Sequence, residues 1–275
     1  MSDIRVREAP LRILPSALVT RPWRSLGGQG SLHLVERHAR VYRHMWLMLA
    51  SGVAEPLFYL LSVGVGIGHL VGTVSGVSYA AFVAPALLAT SSMNGAIYDS
   101  TYNVFFLLKY AKLYDAALAT PMRAQDVALG QVIWALIRGA LYASAFTVVM
   151  LVMGLLRSPW AVGVLPSALL TGFAFGAAGM AATTFMRSWQ DFEYVTLVSV
   201  PLFLFSATFF PLSGYPRAVA IVVQYTPLYQ SVALMRGLAL GAVGPGLLWR
   251  VAYLAAMGTT GLYVAGRRVG RLLLT

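Results

Sequence analysis

Three ionisable residues stand inside otherwise apolar runs of this chain: Glu55, Asp99 and Arg138. A charge in hydrocarbon is costly unless paired, so such residues mark an ion pair, a proton relay or a path for a polar cargo. Two carboxylates and one guanidinium permit all three. Glu55 lies ~12 Å past the start of its run at the rise of a helix, and Arg138 lies at a similar depth in a run of the same direction. Asp99 is near the end of a run pointing the other way. The three therefore share one level of a bilayer, and Arg138 is expected to neutralise Glu55, Asp99 or both. No enzymatic constellation accompanies them. The chain has no GxxxxGK[ST] and no HExxH, so neither a phosphate-cradling loop nor a zinc helix is encoded. His33, His38 and His44 scatter around a helix, and His69 stands alone. With no cysteine, thiol chemistry and cysteine-ligated metals are excluded.

The elements that must position these charges are membrane helices. Of the 275 residues, 59% are hydrophobic and 11% charged, against about 25% charged in soluble domains. Six apolar runs approach or exceed the ~20 residues that a ~30 Å core requires: 47–70, 79–104, 127–155, 160–186, 192–210 and 247–265. The expected class is an all-α integral membrane fold of six transmembrane helices. No signal-peptide pattern is expected, because Pro10, Arg12, Pro15 and Arg21 interrupt any apolar stretch near the start. With the N-terminus inside, fifteen of the 20 lysines and arginines fall on the cytoplasmic side. That bias predicts both termini in the cytoplasm and the three buried charges in the inner leaflet. The net charge of +11 belongs to flanks and loops, which fits topology and anionic lipid rather than nucleic acid.

The segments between spans carry further structure. Residues 1–30 read as a basic, irregular cytoplasmic arm. Residues 31–46 (SLHLVERHARVYRHMW) read as an amphipathic interface helix capped by Ser31, with Glu36, Arg37, Arg40 and Arg43 mostly off its apolar stripe. The stretch LKYAKLYDAALATPMRAQD, 108–126, is too polar to cross a bilayer and too long for a tight turn. Lys109, Lys112 and Arg123 place it in the cytoplasm. Tyr110, Leu113, Tyr114 and Ala117 recur at i, i+3, i+4 and i+7, so they share one helical face that can enter a groove on a soluble partner. Residues 216–240 are apolar but broken at Thr226–Pro227, and are expected to dip back as two half-helices from the outer face before the last span. Residues 267–275 read as a cytoplasmic tail. Gly64, Gly66 and Gly68, and Gly172, Gly176 and Gly179, are spaced for close helix packing. The second run is unusually polar, from Thr90 to Asn103, and should face inward or toward another subunit. Phe58, Tyr59, Tyr98 and Tyr102 on the first two runs, with Phe205 and Phe209 on the fifth, suit packing, the aromatic belt or a lined pathway.

The strings LVERHARVYRHMW, EPLFYLLSVGVGIG, FVAPALLATSSMNGAIYDSTYNVFFLLKYAKLYDAALATPM, GMAATTFMRSWQDFE and LFSATFFPLSGYP together resemble the ABC-2 class of exporter permeases. Within it, they are most similar to the branch that exports nodulation factors, which are lipo-oligosaccharides. The resemblance implies a transmembrane domain over 47–266, in a dimer of permease subunits served by two cytosolic ATPases. It implies that 108–120 is the coupling helix and that the interface helix is a second ATPase contact. ATP and magnesium would sit on the partner ATPase, with no cofactor on this chain. The cargo implied is a lipid, glycolipid, polysaccharide or hydrophobic drug, leaving across the inner membrane. Two other classes are compatible with a polytopic chain. A stand-alone proton-coupled transporter would use Glu55 and Asp99 as its relay but should show inverted repeats, which the two halves lack. A membrane enzyme acting on lipid would need a nucleophile, a metal site or paired carboxylates on a loop, and none is present.

Overall fold

The computed structural model describes residues 57–109 and 124–274, together with Val35, Glu36, Ala39, Arg40 and Ala54. Helix α1 (Leu57–Val71) is wound as a π-helix over Leu60–Ile67. It ends at Gly72, whose φ of 73° only glycine adopts freely. A short hairpin follows, β1 (Thr73–Val74) against β2 (Val77–Ser78), in register Thr73 with Ser78 and Val74 with Val77. Its turn residues Ser75 and Gly76 have φ of 54° and 80°, the positive pair that a two-residue hairpin turn needs. Apolarity along the chain gave no sign of this hairpin.

Ser78 caps the next helix by accepting from Ala81 N. That helix, α2, runs as Tyr79–Tyr98, widens to a π turn over Asp99–Asn103 and continues as Val104–Lys109. Helix α3 is Ala124–Val152. A 3₁₀ turn at Pro159–Gly163 leads into α4 (Val164–Thr183), and a second at Trp189–Asp191 into α5 (Phe192–Phe205). Then come α6 (Arg217–Gln224), α7 (Pro227–Leu240) and α8 (Gly246–Leu274).

Helix α4 is the axis of the bundle. Helices α2, α3 and α8 pack along it, and α7 packs on α2 and α8. Small residues permit the close approaches. A Cβ on Gly261 would lie 2.8 Å from the Ala177 carbonyl carbon and the Ala178 nitrogen, so α8 rests on α4 backbone there. Likewise, a Cβ on Gly179 would lie 2.2 Å from Ser100 Oγ. In the most apolar window of α2, 67% of residues are buried, against 17% for α3. Helix α2 is thus the interior helix despite its polarity. Its hydroxyls are satisfied by folding back on their own helix: Thr90 donates to Ala86 O, Ser92 to Leu88 O and Thr101 to Ile97 O.

Among the described residues, three helices are long and apolar enough to cross a membrane: Tyr79–Phe106, Ile133–Val152 and Pro159–Thr183. Among the described residues the regular structure is therefore helical apart from the hairpin, with several candidate spans. The other expected spans differ in detail. Helix α5 stops at Phe205, five residues short of the expected end, because Ala207 turns to φ 54° and the chain bends through Ser206–Phe210. Helix α8 has no break at 266; it continues through Arg267 and Arg268 to Leu274, so the expected tail is helical. Residues 216–240 form two helices bent by 83° at Tyr225–Thr226. Thr226 accepts from Tyr229 N and Pro227 occupies the first turn, where its missing N–H costs nothing.

Candidate functional site

The end of α2, the middle of α3, the end of α4 and the start of α5 hold most of the chemistry. Asp99 opens the π turn of α2, and Arg138 is about four turns into α3. Arg138 Nη2 donates to Asp99 Oδ1, with both side chains about nine-tenths buried. Removing one partner of such a pair leaves an uncompensated buried charge, at about 3–5 kcal/mol. The π turn frees backbone carbonyls, and α4 meets one of them: Thr183 Oγ1 donates to Ser100 O at 2.9 Å. A small cavity of about 30 Å³ lies beside Asp99, walled by Ser91, Ser92, Gly95 and Tyr142.

Just below, an aromatic cluster ties the end of α2 to the start of α5. Tyr102 stacks on Phe192 at 4.3 Å between ring centroids, and on Tyr98 at 5.1 Å. Phe105 stacks on Trp189 at 5.6 Å, and Trp189 meets Phe192 edge-on at 4.9 Å. Offset and edge-on pairs of this kind add ~0.5–1.5 kcal/mol each beyond their burial. The turn that carries Trp189 is itself braced. Asp191 Oδ2 accepts from Arg187 N at 2.6 Å and from Ser188 N at 3.1 Å. Those two backbone donors, Arg187 first, hold the Asp191 carboxyl below the usual carboxylate range.

Between α2, α4, α5 and α8 lies an apolar cavity of about 740 Å³, walled by Ile97, Phe175, Ala178, Val195, Val198 and Leu202, with Arg187 and Asp191 at its polar end.

At the other end of the bundle, Arg236 on α7 is the organising group. Its Nε donates to Phe82 O at 3.0 Å and its Nη2 to Ala207 O at 2.9 Å, while the guanidinium lies 3.7 Å over the Phe82 ring. One side chain thereby joins α7, the start of α2 and the bend after α5. Among the described residues it has no carboxylate partner. The distribution of lysine and arginine along the chain predicts only that Arg236 lies on the outer side. Its flanks, Ala-Leu-Met before and Gly-Leu-Ala-Leu after, carried the signal that it is held inside.

The residues singled out from sequence divide as follows. Arg40 Nη2 donates to Glu36 Oε1 at 2.5 Å in an exposed pair of little energetic weight. Arg37, Arg43 and Glu55 lie outside the described residues, as do Tyr110, Leu113, Tyr114 and Ala117. Lys109 closes α2. The aromatics do not form one row. Tyr98 and Tyr102 join the inner cluster. Tyr59 and Phe209 each meet Phe203 edge-on, at 6.3 and 5.2 Å, near the other end of α5. Phe205 leans on Tyr215, and Phe58 is exposed. Trp189, Phe192 and Thr183 belong to the site but were not singled out, because nothing in their local spacing marks them.

Comparison with known proteins agrees with this architecture. Residues 31–240 match the ABC-2 type transporter family. Nodulation protein J of Rhizobium leguminosarum bv. trifolii is 36% identical over 194 residues, covering 70% of this chain and 74% of that protein. Nodulation protein J of Sinorhizobium fredii (strain NBRC 101917 / NGR234) is 29% identical over 228 residues, covering 82% and 87%. The inner membrane transport permease YadH of Escherichia coli (strain K12) is 25% identical over 177 residues, covering 64% and 69%. A helical bundle matched over most of its length in this way belongs to the ABC-2 type transporter family as a membrane permease.

Proposed function

We propose that this chain is the permease subunit of an ATP-driven exporter in the inner membrane, with six spans and both termini in the cytoplasm. It acts as a dimer with a second permease subunit and takes its energy from a separate cytosolic ATPase. Its cargo is an amphiphile such as a lipid, glycolipid or lipo-oligosaccharide, the class suggested by its likeness to Nodulation protein J. The carrying observation is the aromatic lock between α2 and α5. Helix α2 leads directly into 110–123, the coupling segment, and Tyr102 and Phe105 join its end to Phe192 and Trp189. A push on the coupling segment would travel through rigid aromatic contacts to α5, rocking α1, α2 and α5 and opening a path along the interface between permeases. Asp99 has a guanidinium partner, which argues against its use as a free proton relay.

The test is at the coupling segment. Helix-in-groove contacts rest on a few anchors, each worth ~2 kcal/mol or more. Replacing Leu113 and Tyr114 together by Asp should detach the ATPase or uncouple its hydrolysis from export, with membrane insertion intact. Pull-down of the ATPase and cargo-stimulated hydrolysis are measured in parallel. A double variant that keeps both functions would refute the coupling role.

A further inference from the structure

The apolar cavity between α2, α4, α5 and α8 lies next to the aromatic contacts that join α2 to α5. Its volume of about 740 Å³ is that of a small-molecule site. Its wall on α5 and the turn before it runs from Asp191 to Leu202, a rise of about 16 Å on helical geometry. That is half of a ~30 Å hydrocarbon core, the depth of one leaflet. Two guanidinium groups stand near the polar end of this slot, Arg187 in its wall and Arg268 against the wall residue Phe185. Arg268 lies 3.6 Å over the ring of Phe185, another wall residue, and its Nε is buried with no hydrogen-bond partner among the described residues. Asp191, the carboxylate among the described wall residues, is engaged by the amides of Arg187 and Ser188. A leaflet-deep apolar slot with guanidinium groups at its polar end complements an acyl chain bearing an anionic head.

We propose that this cavity binds an acyl chain of an anionic phospholipid from the cytoplasmic leaflet, with the phosphate held by Arg187 and Arg268. The site lies within one subunit, apart from the export path between subunits. Only the choice of leaflet rests on the proposed orientation. Guanidinium groups suit it because their planar donors match phosphate oxygens in pairs.

The experiment is native mass spectrometry of the purified full chain, without ATPase, titrated with phosphatidylglycerol or phosphatidylcholine of identical chains. Phosphatidylglycerol should be retained roughly tenfold better, as expected for two basic groups near an anionic head. Arg187→Gln with Arg268→Gln should erase that preference, and Arg187→Lys with Arg268→Lys should keep part of it. Ala178→Trp, which fills the slot, should remove the retained lipid whatever its head. Equal retention of the two lipids by the unmodified protein overturns the proposal without recourse to any variant. So does an undiminished preference in the glutamine pair, or lipid still held by a monodisperse Ala178→Trp protein, as would happen if a second copy of the chain filled the slot. Loss of ATPase binding is not read in this assay, so failure here and failure of the coupling role are separable.

Discussion

Replacing Arg236 by Met should loosen the end of the bundle where α7 meets the start of α2 and the bend after α5. Met matches the length of the aliphatic stem and removes only the guanidinium. Two good hydrogen bonds are lost, to Phe82 O at 3.0 Å and Ala207 O at 2.9 Å; a third approach, to Thr208 O at 3.5 Å, is at the limit and counts for little. Hydrogen bonds from a charged donor contribute ~1.5–3 kcal/mol each, and the face-on contact with Phe82 adds ~0.5–2 kcal/mol. Against this stands the desolvation cost of a cation with no carboxylate partner among the described residues, which the Met variant no longer bears. Phe82 O is within a helix, but Ala207 is in a bend at φ 54° and its carbonyl would be left alone. The net loss is about 2–4 kcal/mol. At 2–4 °C per kcal/mol for a protein of this size, the midpoint falls by about 4–16 °C. Arg236→Lys keeps the charge but cannot reach both carbonyls with one ammonium, so it should recover about half the loss. Thermal unfolding of the purified chain in detergent, followed by size-exclusion chromatography, gives the midpoints. If Met unfolds within a degree or two of the unmodified protein, the guanidinium is not what joins α7 to α2 and the bend. If Lys restores the full midpoint, charge rather than the fork is at work.

Three further outcomes follow from the packing. Arg138→Leu should lower folded yield by an amount reflecting ~3–5 kcal/mol, and Asp99→Asn added to it should return part of that yield; a double variant no better than the single would break the pairing. Gly261→Ala should cost about 1–3 kcal/mol because its Cβ would strike α4 backbone, whereas Gly266→Ala, with open space around it, should be neutral or stabilising by up to ~1 kcal/mol; equal midpoints for the two would refute the close approach of α8 to α4. Asp191 makes stability depend on pH. Its folded pKa lies below the ordinary value of 3.8, so its contribution is complete above that value and is lost as pH falls toward the lowered one. The midpoint gap between the unmodified protein and Asp191→Asn should therefore shrink on acidification, and a gap that widens would reverse the assignment.

Much of this protein could be read along the chain because the bilayer imposes a one-dimensional rule. Every backbone polar group in hydrocarbon must be satisfied internally, so long apolar runs become helices. This rule marked out α2, α3 and α4 as crossing helices, and the scarcity of charge marked Asp99 and Arg138 as residues in need of partners. Thr226 before Pro227 likewise carries its own stop-and-start chemistry, a cap followed by a residue without an N–H. Other features depend on which helices become neighbours, and spacing along one helix does not encode that. The polarity of α2 says that it avoids lipid, but not that α4 would supply Thr183 to the carbonyl of Ser100. Trp189 and Phe192 look like ordinary interface aromatics until the turn braced by Asp191 brings them against Tyr102 and Phe105. Gly261 is one glycine of 26 until α8 lies on α4. Arg236 is one outer arginine until the 83° bend between α6 and α7 aims it at Phe82 and Ala207. Hydrophobicity decides which segments leave water; it is non-directional, so only the tertiary packing of this bundle decides which of them meet.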